Sequence, residues 1–173
     1  SMNECKLSEN NWTRVAVFAG GDRGHYRTDF DCFVGVDRGS LWVLEEDLPL
    51  ALAVGDFDSV TADERQMIQK RAQHFVQAQP EKDDTDLELA LLTIFEQNSQ
   101  AQVTIFGALG GRIDHMLANV FLPSNPKLAP YMRQIVIEDG QNVIAYCPEG
   151  TSQLEPRSDY DYLACMPVRD SQL

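Results

Sequence analysis

Short β-branched and aromatic runs, amphipathic helical patterns between them, and polar motifs where the runs end together predict an α/β fold with helices flanking a parallel sheet. The 173 residues suffice for one well-packed domain with a small second unit attached. Hydrophobic residues at 43% and charged residues at 24% describe a globular chain, so the alternation reads as folded structure rather than biased sequence.

The first strand is expected over residues 14–19, where Val15, Val17 and Phe18 run into the Gly20-Gly21 turn. The second covers residues 33–37 and ends on Asp37, and the third covers residues 50–56 and ends on Asp56. Residues 74–78, 102–108 and 133–138 complete six candidates. Between the fourth and fifth, Leu87, Ala90, Leu91, Ile94 and Phe95 recur at helical spacing and form one apolar stripe to lay against the sheet. Ile113, Met116, Leu117, Val120 and Phe121 repeat that template, and Pro123, Pro126 and Pro130 close the helix. Beyond Gly140 the character changes, and residues 142–146, 153–154 and 160–166 read as short strands broken by prolines. The expected organisation is a Rossmann-like α/β unit over 12–139, followed over 140–173 by the start of a small β-sandwich.

A formal net charge of -13 and scattered basic residues exclude a nucleic-acid or anionic-membrane surface, which needs clustered Lys and Arg. Cys5, Cys32, Cys147 and Cys165 are far apart and lack metal-ligand or redox spacing, so thiols in a reducing compartment are expected. No early stretch joins basic residues to a sustained apolar core and no apolar run is long enough to span a bilayer, so a cytoplasmic protein is expected.

The chemistry sits in three strings at the expected carboxyl edge of the sheet, where ligands bind in such folds. In Gly55-Asp56-Phe57-Asp58-Ser59 the two carboxylates are two residues apart, so on extended chain both point to one side and can share a cation. The plain alternative is a turn. In Lys82-Asp83-Asp84-Thr85-Asp86, Asp83 as N-cap and Asp86 as N3 acid would explain the acids by helix capping alone. Lys82 is harder to explain that way, because a cation opposes the helix dipole, whereas a bound phosphate accounts for it. Gly107, Gly110 and Gly111 allow backbone to approach an anion, with Arg112 as a phosphate donor and Asp114 as a possible cap. Carboxylates, amides and cations on one edge point to a magnesium nucleotide.

The order of these strings, with Glu88 and Asn119 following the second and third, resembles the thiamine pyrophosphokinase family. Ala19-Gly20-Gly21 is similar to its opening glycine turn, and Val36-Asp37-Arg38-Gly39-Ser40 to the segment after its second strand. The resemblance implies transfer of pyrophosphate from ATP to the hydroxyl of thiamine, a Mg2+ requirement and a homodimer with clefts between subunits. It implies Asp56, Asp58 and Asp86 as magnesium ligands, and Asp83 as support for that cluster or orientation of the attacking hydroxyl. Lys82, Arg112 and Ser59 would contact phosphate, with Thr85, Gly110, Gly111 and Asp114 of the same strings beside it, while Asp37, Gly20 and Gly21 would line the nucleotide site. Asp56, Asp83, Asp86 and Arg112 are thereby the expected catalytic set.

The family's fuller β-sandwich helps to hold thiamine, and here only about thirty residues follow Gly140, so a truncated or abbreviated domain with impaired thiamine binding is expected. Two other readings compete. Val54-Gly55-Asp56-Phe57-Asp58-Ser59 also resembles the nucleophile loop of haloacid-dehalogenase-like phosphatases, although that loop normally follows the first strand. The other is a nucleotide-binding module without turnover.

Overall fold

The computed structural model describes residues 10–79, 85–154 and 159–167. Seven strands form one sheet in the order β4-β3-β2-β1-β5-β6-β7. They are β1 (Arg14–Phe18), β2 (Cys32–Val36), β3 (Leu52–Gly55), β4 (His74–Gln77), β5 (Gln102–Phe106), β6 (Ile135–Glu138) and β7 (Val143–Ala145). All neighbouring pairs are parallel except β6 with β7. The six expected strands are all present with slightly different ends. β6 starts later than expected because Arg133 belongs to a short 3-10 segment, Ala129–Gln134.

Strand residues alternate between two cores, as the pleat requires. Val15, Val17, Val34, Val36, Leu52 and Val54 face one side and pack with Leu87, Ala90, Leu91, Ile94 and Phe95 of α3 (Asp86–Gln97). Ala16, Phe18, Phe33, Ala53 and Phe106 face the other and meet α1 (Gly39–Glu45), with Ile68 of α2 (Ala62–Arg71). A capping box at Thr61 and Glu64 fixes the start of α2: the Glu64 amide donates to Thr61 Oγ1, and the Thr61 amide donates to Glu64 Oε1.

α4 (Ile113–Phe121) departs from expectation. Its apolar stripe does not lie against the sheet; the helix has no buried residue, and Ile113 is 69% exposed. Periodicity defines a stripe but not what covers it, and among the described residues nothing buries this one.

The chain after Gly140 also differs in part. β7 fulfils the first short strand and extends the main sheet, with the Tyr146 hydroxyl donating to Val120 O at 2.6 Å. Residues 153–154 and 160–166 form no strand. A short strand needs a neighbour to hold it, and among the described residues Tyr162, Leu163 and Met166 stand exposed with no strand beside them.

Candidate functional site

Parallel strands all end on the same edge, so the loops after β1, β2, β3 and β5 gather there. The register sets Val36 of β2 beside Val54 of β3, which brings Asp37 and Asp56 out at neighbouring points. α3 returns against the strand direction over β2 and β3, so its first residue, Asp86, arrives above the same corner. Carboxylate oxygens of Asp37, Asp56 and Asp86 consequently lie within 4.8 Å of one another, all three residues being half-buried.

Backbone hydrogen bonds hold this corner in place. The Asp37 amide donates to Val54 O at 2.9 Å, and Asp37 Oδ1 accepts from the Phe57 amide at 3.0 Å. Asp56 Oδ1 accepts from the Asp58 amide at 3.0 Å, a side-chain-closed turn. Asp37 and Phe57 both occupy the left-handed region, at φ 50 and 59, a conformation that non-glycine residues adopt at an energetic cost and that concentrates at functional sites. Gly55 has to be glycine because a Cβ there would stand 2.1 Å from Asp37 Oδ1.

Burial, followed by the contact with Asp86 and the charge of Asp56, pushes the Asp37 carboxyl up to about 8, against the pull of the Phe57 amide. Three crowded carboxylates in a partly buried corner repel one another until a cation or a proton joins them. Hard oxygen donors of this kind suit magnesium or calcium. The residues present fit such a metal.

The glycine edge is built differently. Gly20 adjoins the acidic corner: a Cβ there would be 3.5 Å from Asp37 Cβ. The Gly21 amide donates to Gly107 O at 3.1 Å, and a Cβ on Gly21 would come within 2.4 Å of that oxygen, so the turns after β1 and β5 touch. Connections leave β1 and β5 toward opposite ends of the sheet, making this the switch point where a crevice forms. Farther out, Gly111 has φ 70 and open space around it. Arg112 donates from Nε to Asp114 Oδ1 at 3.1 Å and from Nη2 to Asp114 Oδ2 at 2.6 Å, and both residues are exposed.

Asp56 and Asp86 thus converge as expected, but Asp37 joins them where Asp58 was anticipated; Asp58 and Ser59 are exposed on the turn beyond. Asp37 was read as lining a nucleotide site, not as a member of the acidic group. The signal was available, since Asp37 ends its strand as Asp56 ends the next. Lys82 and Asp83 lie outside the described residues. The N-cap of α3 is Thr85, whose Oγ1 accepts from the Glu88 amide at 3.1 Å, so Asp86 opens the helix rather than standing at N3. Asp114 does not cap α4, because the N-cap is Arg112. Glu88, which sequence reading gave no role, is buried and accepts from Asn125 Nδ2 at 2.6 Å, anchoring the helix that carries Asp86.

Residues 24–132 match the family described as thiamin pyrophosphokinase, catalytic domain. The chain is 35% identical over 163 residues to the thiamine pyrophosphokinase of Bacillus subtilis (strain 168), which spans 90% of this chain and 74% of that protein. A crystal structure of a thiamin pyrophosphokinase family protein from Enterococcus faecalis superposes with a TM-score of 0.75 at 47% identity, covering 80% of this chain and 67% of that one. The crystal structure of the Bacillus subtilis enzyme gives 0.61 at 35% identity, over 76% and 62%. The yeast thiamin pyrophosphokinase, 9% identical with a TM-score of 0.59, shares the fold. The dehalogenase-like reading is set aside, since Asp56 follows the third strand and not the first.

Proposed function

The chain belongs to the thiamin pyrophosphokinase family, and on that premise we propose that it transfers pyrophosphate from ATP to the hydroxyl of thiamine in a magnesium-dependent reaction. The observation that carries this reading is the convergence of Asp37, Asp56 and Asp86 beside the glycine turns. Those three carboxylates would hold the magnesium, with Asp58 one turn away available to join them. When bound, the metal neutralises charge on the phosphate oxygens. The thiamine oxygen attacks the β-phosphorus, the bond from that phosphorus to the α–β bridging oxygen breaks, and AMP leaves with that oxygen. A carboxylate of the acidic strings, Asp83 in this proposal, takes the hydroxyl proton. Exposed amides at Gly110 and Gly111 and the Arg112 guanidinium offer donors to the phosphates once a ligand competes with Asp114. Lys82, Ser59 and Thr85 belong to the same proposed phosphate shell, and Gly20 and Gly21 line it.

We further infer a homodimer, supported by the uncovered stripe of α4 immediately after Arg112. The division into a catalytic unit over 12–139 and a thiamine-facing β unit over 140–173 belongs to this reading too. So does a cytoplasmic location, consistent with unpaired thiols at Cys32, Cys147 and Cys165. No helix among the described residues is long and apolar enough to cross a membrane.

The test is AMP formation from ATP by the purified protein. It should require both thiamine and magnesium. AMP or phosphate released at the same rate without thiamine would refute the assignment, and nucleotide binding without any turnover would reduce the chain to a binding module.

A further inference from the structure

One basic side chain at the acidic corner has no part in the reading above. Arg38 follows Asp37 directly, is exposed, and reaches across the edge to donate from Nη1 to Ser59 O at 2.7 Å. Asp37 receives the Phe57 amide on the same loop, so residues 37 and 38 grip the turn after β3 at two points. That bond employs one of the five N–H donors of the guanidinium. Among the described residues Arg38 makes no ion pair, although Glu64 is near enough for the Arg38 charge to help hold its carboxyl below the usual range, after the Thr61 amide. Arg112 is different, since its guanidinium is held in a two-point contact by Asp114.

Charge balance gives Arg38 a purpose. A magnesium–ATP complex remains anionic, and it has to approach Asp37, Asp56, Asp86 and the exposed Asp58. The metal cancels only part of that repulsion, so the phosphate oxygens need a cation on the protein side. Arg38 stands over the loop that carries Asp56 and Ser59, with donors to spare and its position fixed by the Ser59 bond.

We propose that Arg38 is a phosphate-contacting residue of the nucleotide site, using the Ser59 carbonyl as a brace while its remaining N–H groups bind oxygens of the ATP polyphosphate. The inference rests on the proposed magnesium nucleotide chemistry of the same corner. Calorimetry with a non-hydrolysable ATP analogue plus magnesium, and with magnesium alone, tests it on the wild-type chain, Arg38→Ala and Arg38→Lys. Losing a charge-assisted contact should weaken binding of the analogue about tenfold or more in Arg38→Ala, while magnesium alone binds within about twofold of wild type. Arg38→Lys should fall between the two, since it keeps the charge without the planar fork. Thermal unfolding of each variant confirms that folded proteins are compared. Unchanged affinity for the analogue in Arg38→Ala would overturn the proposal, and so would an equal loss of magnesium binding, which would make Arg38 a loop brace only. Absence of magnesium-dependent analogue binding in the wild-type chain would instead defeat the nucleotide reading itself.

Discussion

The acidic corner and the glycine edge lie side by side on one sheet edge and are stabilised in opposite ways. At the corner three aspartates are half-buried, and Asp37 and Asp56 are fixed by amide bonds, left-handed backbone at Asp37 and Phe57, and a glycine with no room for a methyl group. At the outer glycine edge, Gly111 faces open space, the exposed Arg112 pairs with Asp114, and α4 leaves its apolar stripe uncovered. One half is closed by the chain's own contacts, and its left-handed backbone at Asp37 and Phe57 is the kind of strain that concentrates at functional sites. The other half presents an exposed ion pair and an apolar stripe that the described residues leave uncovered.

The largest effect should come from breaking the finished half chemically. Asp86→Asn removes a carboxylate from the proposed metal shell without changing side-chain shape, and kcat/KM should fall on the order of a hundredfold to a thousandfold. Circular dichroism and the unfolding midpoint should remain native, because the substitution also relieves repulsion with Asp37. Undiminished AMP formation would remove Asp86 from the metal shell.

A pair of glycine substitutions separates steric closure from backbone strain. Gly55→Ala drives a methyl group into Asp37 Oδ1 and should destabilise the fold by about 1–3 kcal/mol, with loss of stabilisation by magnesium. Gly111→Ala meets no atom and should pay only for its left-handed backbone, roughly 1 kcal/mol. Denaturant unfolding with and without magnesium measures both. Equal effects at the two positions would erase the contrast between the regions.

The corner should also have a pH signature opposite in sign to that of the glycine edge, where Arg112 holds the exposed Asp114 carboxyl below its usual range. The folded Asp37 carboxyl titrates near 8 against 3.8 for its ordinary value, so between those pH values the folded state binds more protons than the unfolded chain. Stability of the metal-free protein contributed by this group therefore declines as pH rises from about 4 to about 8. Asp37→Asn should flatten that slope, and magnesium should stabilise the wild type more at pH 8 than at pH 5. A slope unchanged in Asp37→Asn would assign the dependence to other groups.

Much of the fold was legible because strand and helix periods are written locally. The six parallel strands and α3 followed from runs such as Val15 to Phe18 and from the stripe Leu87 to Phe95. The meeting of Asp56 and Asp86 was legible because strand ends and helix starts share an edge in this architecture. Asp37 as the third member was not, since that depends on β2 lying next to β3 and on a register no local pattern states. Asp58 stands apart from the three for a related reason: two-residue spacing aligns side chains on a strand, but β3 stops at Gly55 and the chain turns. The stripe of α4 was read correctly as apolar and wrongly as covered.

That uncovered stripe gives the smallest effect on the single chain and the sharpest test of the open half. Leu117 is 43% exposed and Phe121 45%, so in an isolated chain Leu117→Glu removes little buried area. Unfolding stability measured where the protein is monomeric should change by about 0.5 kcal/mol or less. If a second copy covers the helix, the same substitution buries a carboxylate in an apolar contact and should displace the association equilibrium toward monomer, as read by sedimentation. Because α4 begins at Ile113, directly after Arg112, dissociation should lower thiamine-dependent turnover while leaving magnesium binding at the acidic corner intact. A variant that remains dimeric would leave the dimer to another surface, and a monomeric variant with full turnover would show that the open half needs no second subunit.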